Sequence, residues 1–211
     1  MGIYYYQMRR VGSTLKIYFL FIIPTFLLDP YFQSGFKIIK EYLMNYTLIL
    51  LIDRLMDIIG NGGYQAVLCL LLFVAGLYFR RKGLSYAGKY GFIGIVTSGI
   101  LVQILKHLIG RARPVFDDAY LFWGPSIKNG LIGFDSFPSG HAIGAFTLAT
   151  IFSEVYSKGK AIFYGLAVLI GVWRLYDNAH FLSDVFTGMV LGLMVGKWLV
   201  NRYPLRDVKE G

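Results

Sequence analysis

Long apolar runs broken by short charged stretches leave this chain few ways to fold. About 20 mainly apolar residues cross a bilayer as a helix, because in hydrocarbon each backbone N–H and C=O must be paired within its own segment. Six segments reach or approach that length: 11–28, 63–79, 90–108, 142–156, 161–173 and 185–200. The fourth and fifth are short and depend on polar ends. The stretch 36–59 mixes Lys37, Lys40, Glu41, Asp53, Arg54 and Asp57 with Ile38, Ile39, Leu43, Leu48, Leu51, Leu55 and Ile58. It reads as one or two amphipathic helices at the interface, with a seventh span as the lesser alternative because of Asp53 and Arg54. Charged residues make up 16% of the chain, well below the quarter or so of a soluble domain. The expected fold is all-α: an integral membrane bundle of six transmembrane helices with an interfacial amphipathic segment, in one domain over residues 1–211.

Charge then orients the bundle. With a cytoplasmic N-terminus and six spans, the inner side holds Arg9, Arg10, Lys16, Arg80, Arg81, Lys82, Lys89, Lys158, Lys160, Lys197, Arg202, Arg206 and Lys209, 13 of the 21 Lys and Arg. The other 8 (Lys37, Lys40, Arg54, Lys106, Arg111, Arg113, Lys128 and Arg174) fall outside. The excess of inner cations predicts that both termini are cytoplasmic. Arg9 and Arg10 precede an apolar run as in a signal peptide, but bulky Pro30-Tyr31-Phe32 follows it and no small-x-small site does; the run reads as a retained anchor. The net charge of +9 flanks apolar runs and forms no continuous basic face, which argues against nucleic acid. Cys69, the only cysteine, excludes a disulfide or a cysteine metal site within the chain. No charged residue stands near the middle of a proposed span, which disfavours a transporter. Gly188, Gly192 and Gly196 form a stripe for close helix packing, within the bundle rather than between two copies.

The polar residues that remain gather, in this topology, on the outer side. Lys106 and Arg113-Pro114 close the third span, Pro138-Ser139-Gly140-His141 opens the fourth, Arg174 ends the fifth, and His180 with Asp184 introduces the sixth. Three fixed cations directed at one point suit a dianion such as phosphate, Arg offering a planar fork and Lys a point charge. Ser139 and Gly140 precede a helix, where free N–H groups and the dipole favour an anion, and Gly140 allows close backbone approach. His180 and Asp184, four apart, let a carboxylate accept from one ring nitrogen and leave the other as a nucleophile. His141 then remains to protonate a leaving oxygen.

In order, Lys-x6-Arg-Pro, Pro-Ser-Gly-His and Arg-x5-His-x3-Asp resemble the motifs of the type 2 phosphatidic acid phosphatase superfamily, which also includes vanadium-dependent haloperoxidases and glucose-6-phosphatase. The motifs cover residues 106–184. The resemblance implies a phosphohistidine on His180, supported by Asp184, with His141 protonating the leaving group and a water hydrolysing the intermediate. It implies phosphate binding by Lys106, Arg113, Ser139, Gly140 and Arg174, with no metal and no cofactor. The partners implied are a phosphorylated membrane lipid and the bilayer around it, in a bacterial inner membrane with the site on the periplasmic face. Among lipids the reading leans to lipid A 1-phosphate, because Lys37, Lys40 and Lys128 add outer cations suited to a multiply anionic lipid. Undecaprenyl pyrophosphate comes next, then phosphatidylglycerol phosphate and phosphatidic acid. A transporter or a non-catalytic lipid-binding protein is the distant alternative, and neither needs an acid–nucleophile pair.

Two positions depart from the family pattern. Trp173 stands where Ser commonly precedes the arginine, and Asp177-Asn178 brings a carboxylate close to His180, to be neutralised by Arg111 or Lys128. His107 is expected at the interface, turned about 100° from Lys106, and Asp117-Asp118 in a solvated loop.

Overall fold

A computed structural model describes residues 2–130 and 133–205, with side chains from Leu20 onward. Seven helices follow in order: α1 (Gly2–Leu43), α2 (Thr47–Gly60), α3 (Gly62–Tyr78), α4 (Lys82–Ile109), α5 (Gly140–Val155), α6 (Lys160–Tyr176) and α7 (Leu182–Arg202). A long loop between α4 and α5 contains a short 3-10 turn, Pro114–Phe116. The described residues form no strand beyond a single bridge between Arg111 and Phe122.

Three helical segments, Lys82–Ile109, Ser157–Tyr176 and Leu182–Arg202, are long and apolar enough to cross a membrane. The pair α2 and α3, bent by 61° at Asn61, makes a fourth if it is one broken span. The expected six spans are therefore met in part. The segment at 11–28 belongs to a longer helix, and its side chains up to 19 lie outside the described residues. So do Arg9, Arg10, Lys16, Arg206 and Lys209, on which the orientation partly rests.

α5 shows why a short apolar run still makes a helix. It is 16 residues long, about 24 Å at 1.5 Å per residue, too short for a typical hydrocarbon layer. That limit binds only a helix exposed to lipid. Residues 142–151 are all buried, because α5 lies at the centre, packed by α3, α4, α6 and α7. The α7 stripe makes three of the close contacts. A Cβ at Gly188 would meet the Ser139 carbonyl at 2.7 Å, and one at Gly192 the Ile143 carbonyl at 2.5 Å. One at Gly196 would meet Thr150 Cβ at 2.6 Å. The stripe is filled within the bundle, and Cys69 is buried under α4, where it would contact a Cβ at Gly91.

The stretch 36–59 divides. Its first part continues α1, through Pro30, to Leu43; its second part is α2. Met56 and Ile52 of α2 pack on a cluster with Ala145, Phe146, Ala149, Ala167, Ile170 and Leu193, while Leu48, Leu51, Leu55 and Ile58 are exposed. α2 is thus amphipathic as expected, and it lies across the ends of α5 and α6. Its last residue, Gly60, touches the imidazole of His141: a Cβ there would stand 2.5 Å from the ring.

Candidate functional site

Alternating helix direction brings the C-termini of α4 and α6 and the N-termini of α5 and α7 to one end of the bundle. α4 stops at Gly110, which takes a left-handed φ of +59°. The Asn129 amide donates to the carbonyls of Lys106 and His107 at 3.3 and 3.0 Å, beside the bonds these accept from the Gly110 and Ser126 amides. This turn presents Lys106 inward and directs the chain into Arg111 and Arg113. At α5, Ser139 is the N-cap residue, and its amide donates to the Asp184 carbonyl at 3.0 Å, tying α5 to α7. The Ser139 hydroxyl is buried and has no hydrogen-bond partner in the protein. It sits beside the first turn of α5, whose N–H groups have no intrahelical acceptor. Gly140 is not required by packing, since a Cβ there would meet only Val102 at 3.7 Å; the open space on its other side is where an anion would approach.

His180 lies in the tight link between α6 and α7. Its amide, with that of Ala179, donates to the Arg174 carbonyl, so the last turn of α6 positions both Arg174 and His180. Asp184 follows in the first turn of α7. His180 Nδ1 is 3.7 Å from Asp184 Oδ2, an ion-pair distance longer than a hydrogen bond. Burial drives the His180 imidazole down to about 4, with the Lys106 and Arg174 cations adding to it, against the opposing pull of Asp184. At neutral pH the ring is uncharged and has a lone pair to offer.

The Asp184 carboxylate is saturated. Oδ1 accepts from Arg111 Nη1 at 2.6 Å, and Oδ2 from Ser136 Oγ at 2.6 Å and from the Phe181 amide at 2.8 Å. Three of these partners were not legible in the sequence. The sequence offers Arg111 or Lys128 as the partner of Asp177; Arg111 is instead completely buried and paired with Asp184 and Asp29. Asp177 is neutralised by Lys40 of α1 at 2.9 Å, with Arg174 at 3.6 Å.

Each cation expected to face phosphate faces a carboxylate. Arg113 forks onto Asp135 with two bonds of 2.7 Å, and Lys106 Nζ reaches the same carboxylate at 3.5 Å. Burial alone would raise the Asp135 carboxyl, but the Arg113 hydrogen bond and the Lys106 and Arg113 charges hold it at about 2. Arg174 Nη1 meets Asp57 of α2 at 2.6 Å, and the same Asp57 oxygen is 3.5 Å from His141 Nε2. Arg174 Nε and His141 Nε2 are both buried without a hydrogen bond. Trp173, the departure before Arg174, donates its indole N–H to Asp53 at 2.7 Å and so anchors α2. Lys37 pairs with Asp117 at 3.4 Å, and Asp118 caps the Tyr120 amide.

All eight residues singled out in the sequence, Lys106, Arg113, Ser139, Gly140, His141, Arg174, His180 and Asp184, therefore stand at one end of the bundle. Asp29, Asp57, Asp135 and Ser136 join them from outside the motifs, and Arg111 and Ser183 from the unspecified positions within them. Arg111, two residues before Arg113, and Ser183, next to Asp184, carried a signal in their place within a motif.

Comparison with known proteins gives this geometry its relatives. The chain is 35% identical to the lipid A 1-phosphatase of Rhizobium johnstonii over 149 residues, 70% of this chain and 56% of that one. It spans about half the length of the two Rhizobium relatives it matches. It resembles in fold the crystal structure of a transmembrane PAP2 type phosphatidylglycerolphosphate phosphatase from Bacillus subtilis. The TM-score there is 0.59 and the identity 22%, over 93% of this chain and 98% of that one. It also resembles the crystal structure of Aquifex aeolicus LpxE, with a TM-score of 0.52 and 27% identity over 79% and 93% of the two chains. The profile of the PAP2 superfamily matches residues 87–207, more than half of the sequence and all three motifs, and the chain belongs to that superfamily.

Proposed function

We propose that the chain is a membrane lipid phosphatase that hydrolyses a phosphomonoester or pyrophosphate on an envelope lipid through a phosphohistidine on His180. One observation carries the reading: a buried, uncharged His180, backed by Asp184, stands at a helix-end site with Lys106, Arg113, Arg174 and the unpartnered Ser139 hydroxyl. His180 Nδ1 faces Asp184, which leaves Nε2 to form the N–P bond as the P–O bond to the lipid breaks with its electron pair. His141, kept protonated in the complex by the entering dianion and by Asp57 at 3.5 Å, gives its proton to the departing oxygen. It then takes one from the water that attacks phosphorus and releases the histidine. Lys106, Arg113, Arg174, Ser139 and the α5 N-terminus at Gly140 hold the phosphoryl oxygens, each donor contributing about 3–4 kcal/mol to the transition state. These cations supply the positive charge for which other phosphatases use a metal, so the reaction runs without one.

A lipid substrate fits the surroundings. Val96, Ile100, Ile104 and Leu108 recur every fourth residue on the exposed side of α4, up to the turn that carries Lys106. A headgroup at the site would lay its tails along that stripe. Similarity to lipid A 1-phosphatases favours lipid A 1-phosphate. Undecaprenyl pyrophosphate, phosphatidylglycerol phosphate and phosphatidic acid are the alternatives. Residues 1–211 act as one membrane-embedded unit of six spans in a bacterial inner membrane. Both termini are cytoplasmic and the site opens on the periplasmic face.

The test is phosphate release by detergent-purified protein with EDTA present, from those four lipids in parallel, beside His180→Ala. Release from one lipid that is lost in the variant supports the reading and names the substrate. Equal release by the variant would sink the phosphohistidine.

A further inference from the structure

Behind Asp184 lies a group of charged residues that the proposed reaction does not use. Arg111 is completely buried and all five of its N–H donors are engaged. Nε donates to the Ala119 carbonyl at 3.1 Å, and Nη2 to that carbonyl and to Asp29 Oδ2, both at 2.6 Å. Nη1 donates to Ser183 Oγ and to Asp184 Oδ1, both at 2.6 Å. The rings of Phe26, Phe122 and Phe181 stand 4.9, 5.3 and 4.2 Å from the guanidinium and keep water away. Asp29, also completely buried, accepts from Arg111, from the Ser183 amide at 2.8 Å and from the Ser183 hydroxyl at 2.6 Å. Every hydrogen bond to either carboxylate is donated to it, by a guanidinium, a backbone amide or a hydroxyl, the arrangement that suits two ionised groups. Two carboxylates share one guanidinium, and the cluster carries one negative charge in excess.

Such a cluster is not needed to hold α1 against α7. A buried ion network gives little net stability over an apolar replacement, because desolvating the charges offsets their attraction. Its place, one residue from the nucleophile, points to the reaction. We propose that Asp29 and Arg111 are positioning residues: Arg111 fixes the Asp184 carboxylate behind His180, and Asp29 supplies the excess negative charge that meets the positive charge the ring gains on attack. The inference rests on the reading of His180 as the nucleophile. When Nε2 forms the N–P bond, Nδ1 keeps its proton and the ring becomes cationic. The cluster and ring together are then neutral in a dry environment, where an unmatched charge is most costly. The other charged groups facing His180 are Lys106, Arg174, His141 and Asp135, and those facing Asp184 are Lys106 and Arg113. All of these lie on the phosphate side; an incoming dianion pairs with Lys106, Arg113 and Arg174 there and takes the place of Asp135 on the first two.

The test compares full-length wild type with Asp29→Asn, Arg111→Lys and His180→Ala on the lipid that the wild type cleaves. It measures kcat, KM, the pH profile of kcat/KM and, in detergent, the thermal transition. Asp29→Asn is expected to lower kcat by about 10- to 100-fold, the size of the loss when a carboxylate that orients a metal-bound histidine is altered, with KM within about twofold. Its acid limb should move to lower pH, since removing a negative charge makes the ring harder to protonate. A merely structural role predicts the opposite: a loosened, wetter site would move the limb up toward that of an ordinary histidine. Arg111→Lys keeps the charge and loses the fork, so kcat should fall while the acid limb stays in place. That variant decides the matter if Asp29→Asn does not fold. An acid limb that rises in either variant, or an unchanged kcat in both, overturns the proposal. Release that survives His180→Ala overturns instead the underlying phosphohistidine reading.

Discussion

His180 shows how strongly a single residue's behaviour depends on what covers it. A solvated imidazole titrates near 6.5; this one is held at about 4, chiefly by burial. The sign follows directly. On the proposed mechanism the neutral ring attacks, so activity due to His180 is expected above about pH 4 and is lost as pH falls through that value. The acid limb of kcat/KM, corrected for ionisation of the substrate, is therefore expected near pH 4. A limb near 6.5 would mean that the ring is solvated in the working enzyme. Asp135, held at about 2, stays ionised throughout that range and does not add a second limb.

At the level of elements, the site depends on how closely α7 lies against α5. The Ser139 amide bonds the Asp184 carbonyl at 3.0 Å only because Gly188 and Gly192 let the helices approach. Gly192→Ala places a methyl against the Ile143 carbonyl, and overpacking of this kind costs about 1–3 kcal/mol. It should lower the thermal transition in detergent and reduce activity with it. Gly165→Ala on α6 is the control, since nothing lies within 4 Å of a Cβ there. It should be neutral or stabilising by up to about 1 kcal/mol from helix propensity. Equal effects of the two would remove the close-packing explanation. α2 is the second determinant: Asp53 on Trp173, Asp57 on Arg174 and Gly60 on His141 make it a cover for the acid side of the site.

For the whole molecule, antiparallel helices place the α4–α5 loop and the α5–α6 turn at opposite ends of the bundle. With a periplasmic site, a cysteine at exposed Asp118 should react with a membrane-impermeant maleimide in intact spheroplasts. One at exposed Lys158 should react only after lysis. Native Cys69 is buried and should stay silent in both. Labelling of Lys158→Cys in intact spheroplasts would reverse the proposed orientation.

The membrane character, the helical class and the eight motif residues were legible in the sequence for a physical reason. Apolar runs of membrane length have few folded solutions, and residues at the ends of alternating helices must meet at one pole whatever the details of packing. The division of 36–59 was not legible, because amphipathicity shows that a helix has two faces but not which neighbour covers the apolar one. The partners of Asp184 were hidden for a related reason. Asp29 is 155 residues before it in the chain, at the end of an apolar run, where a lone carboxylate looks like an interfacial charge. Only the tertiary structure decides that α1 crosses behind α7 there, that Arg111 turns inward between them, and that Asp57 and Asp135 occupy the cations. Charge pairing across a bundle depends on distances between helices, and a local pattern of residues carries no record of those distances.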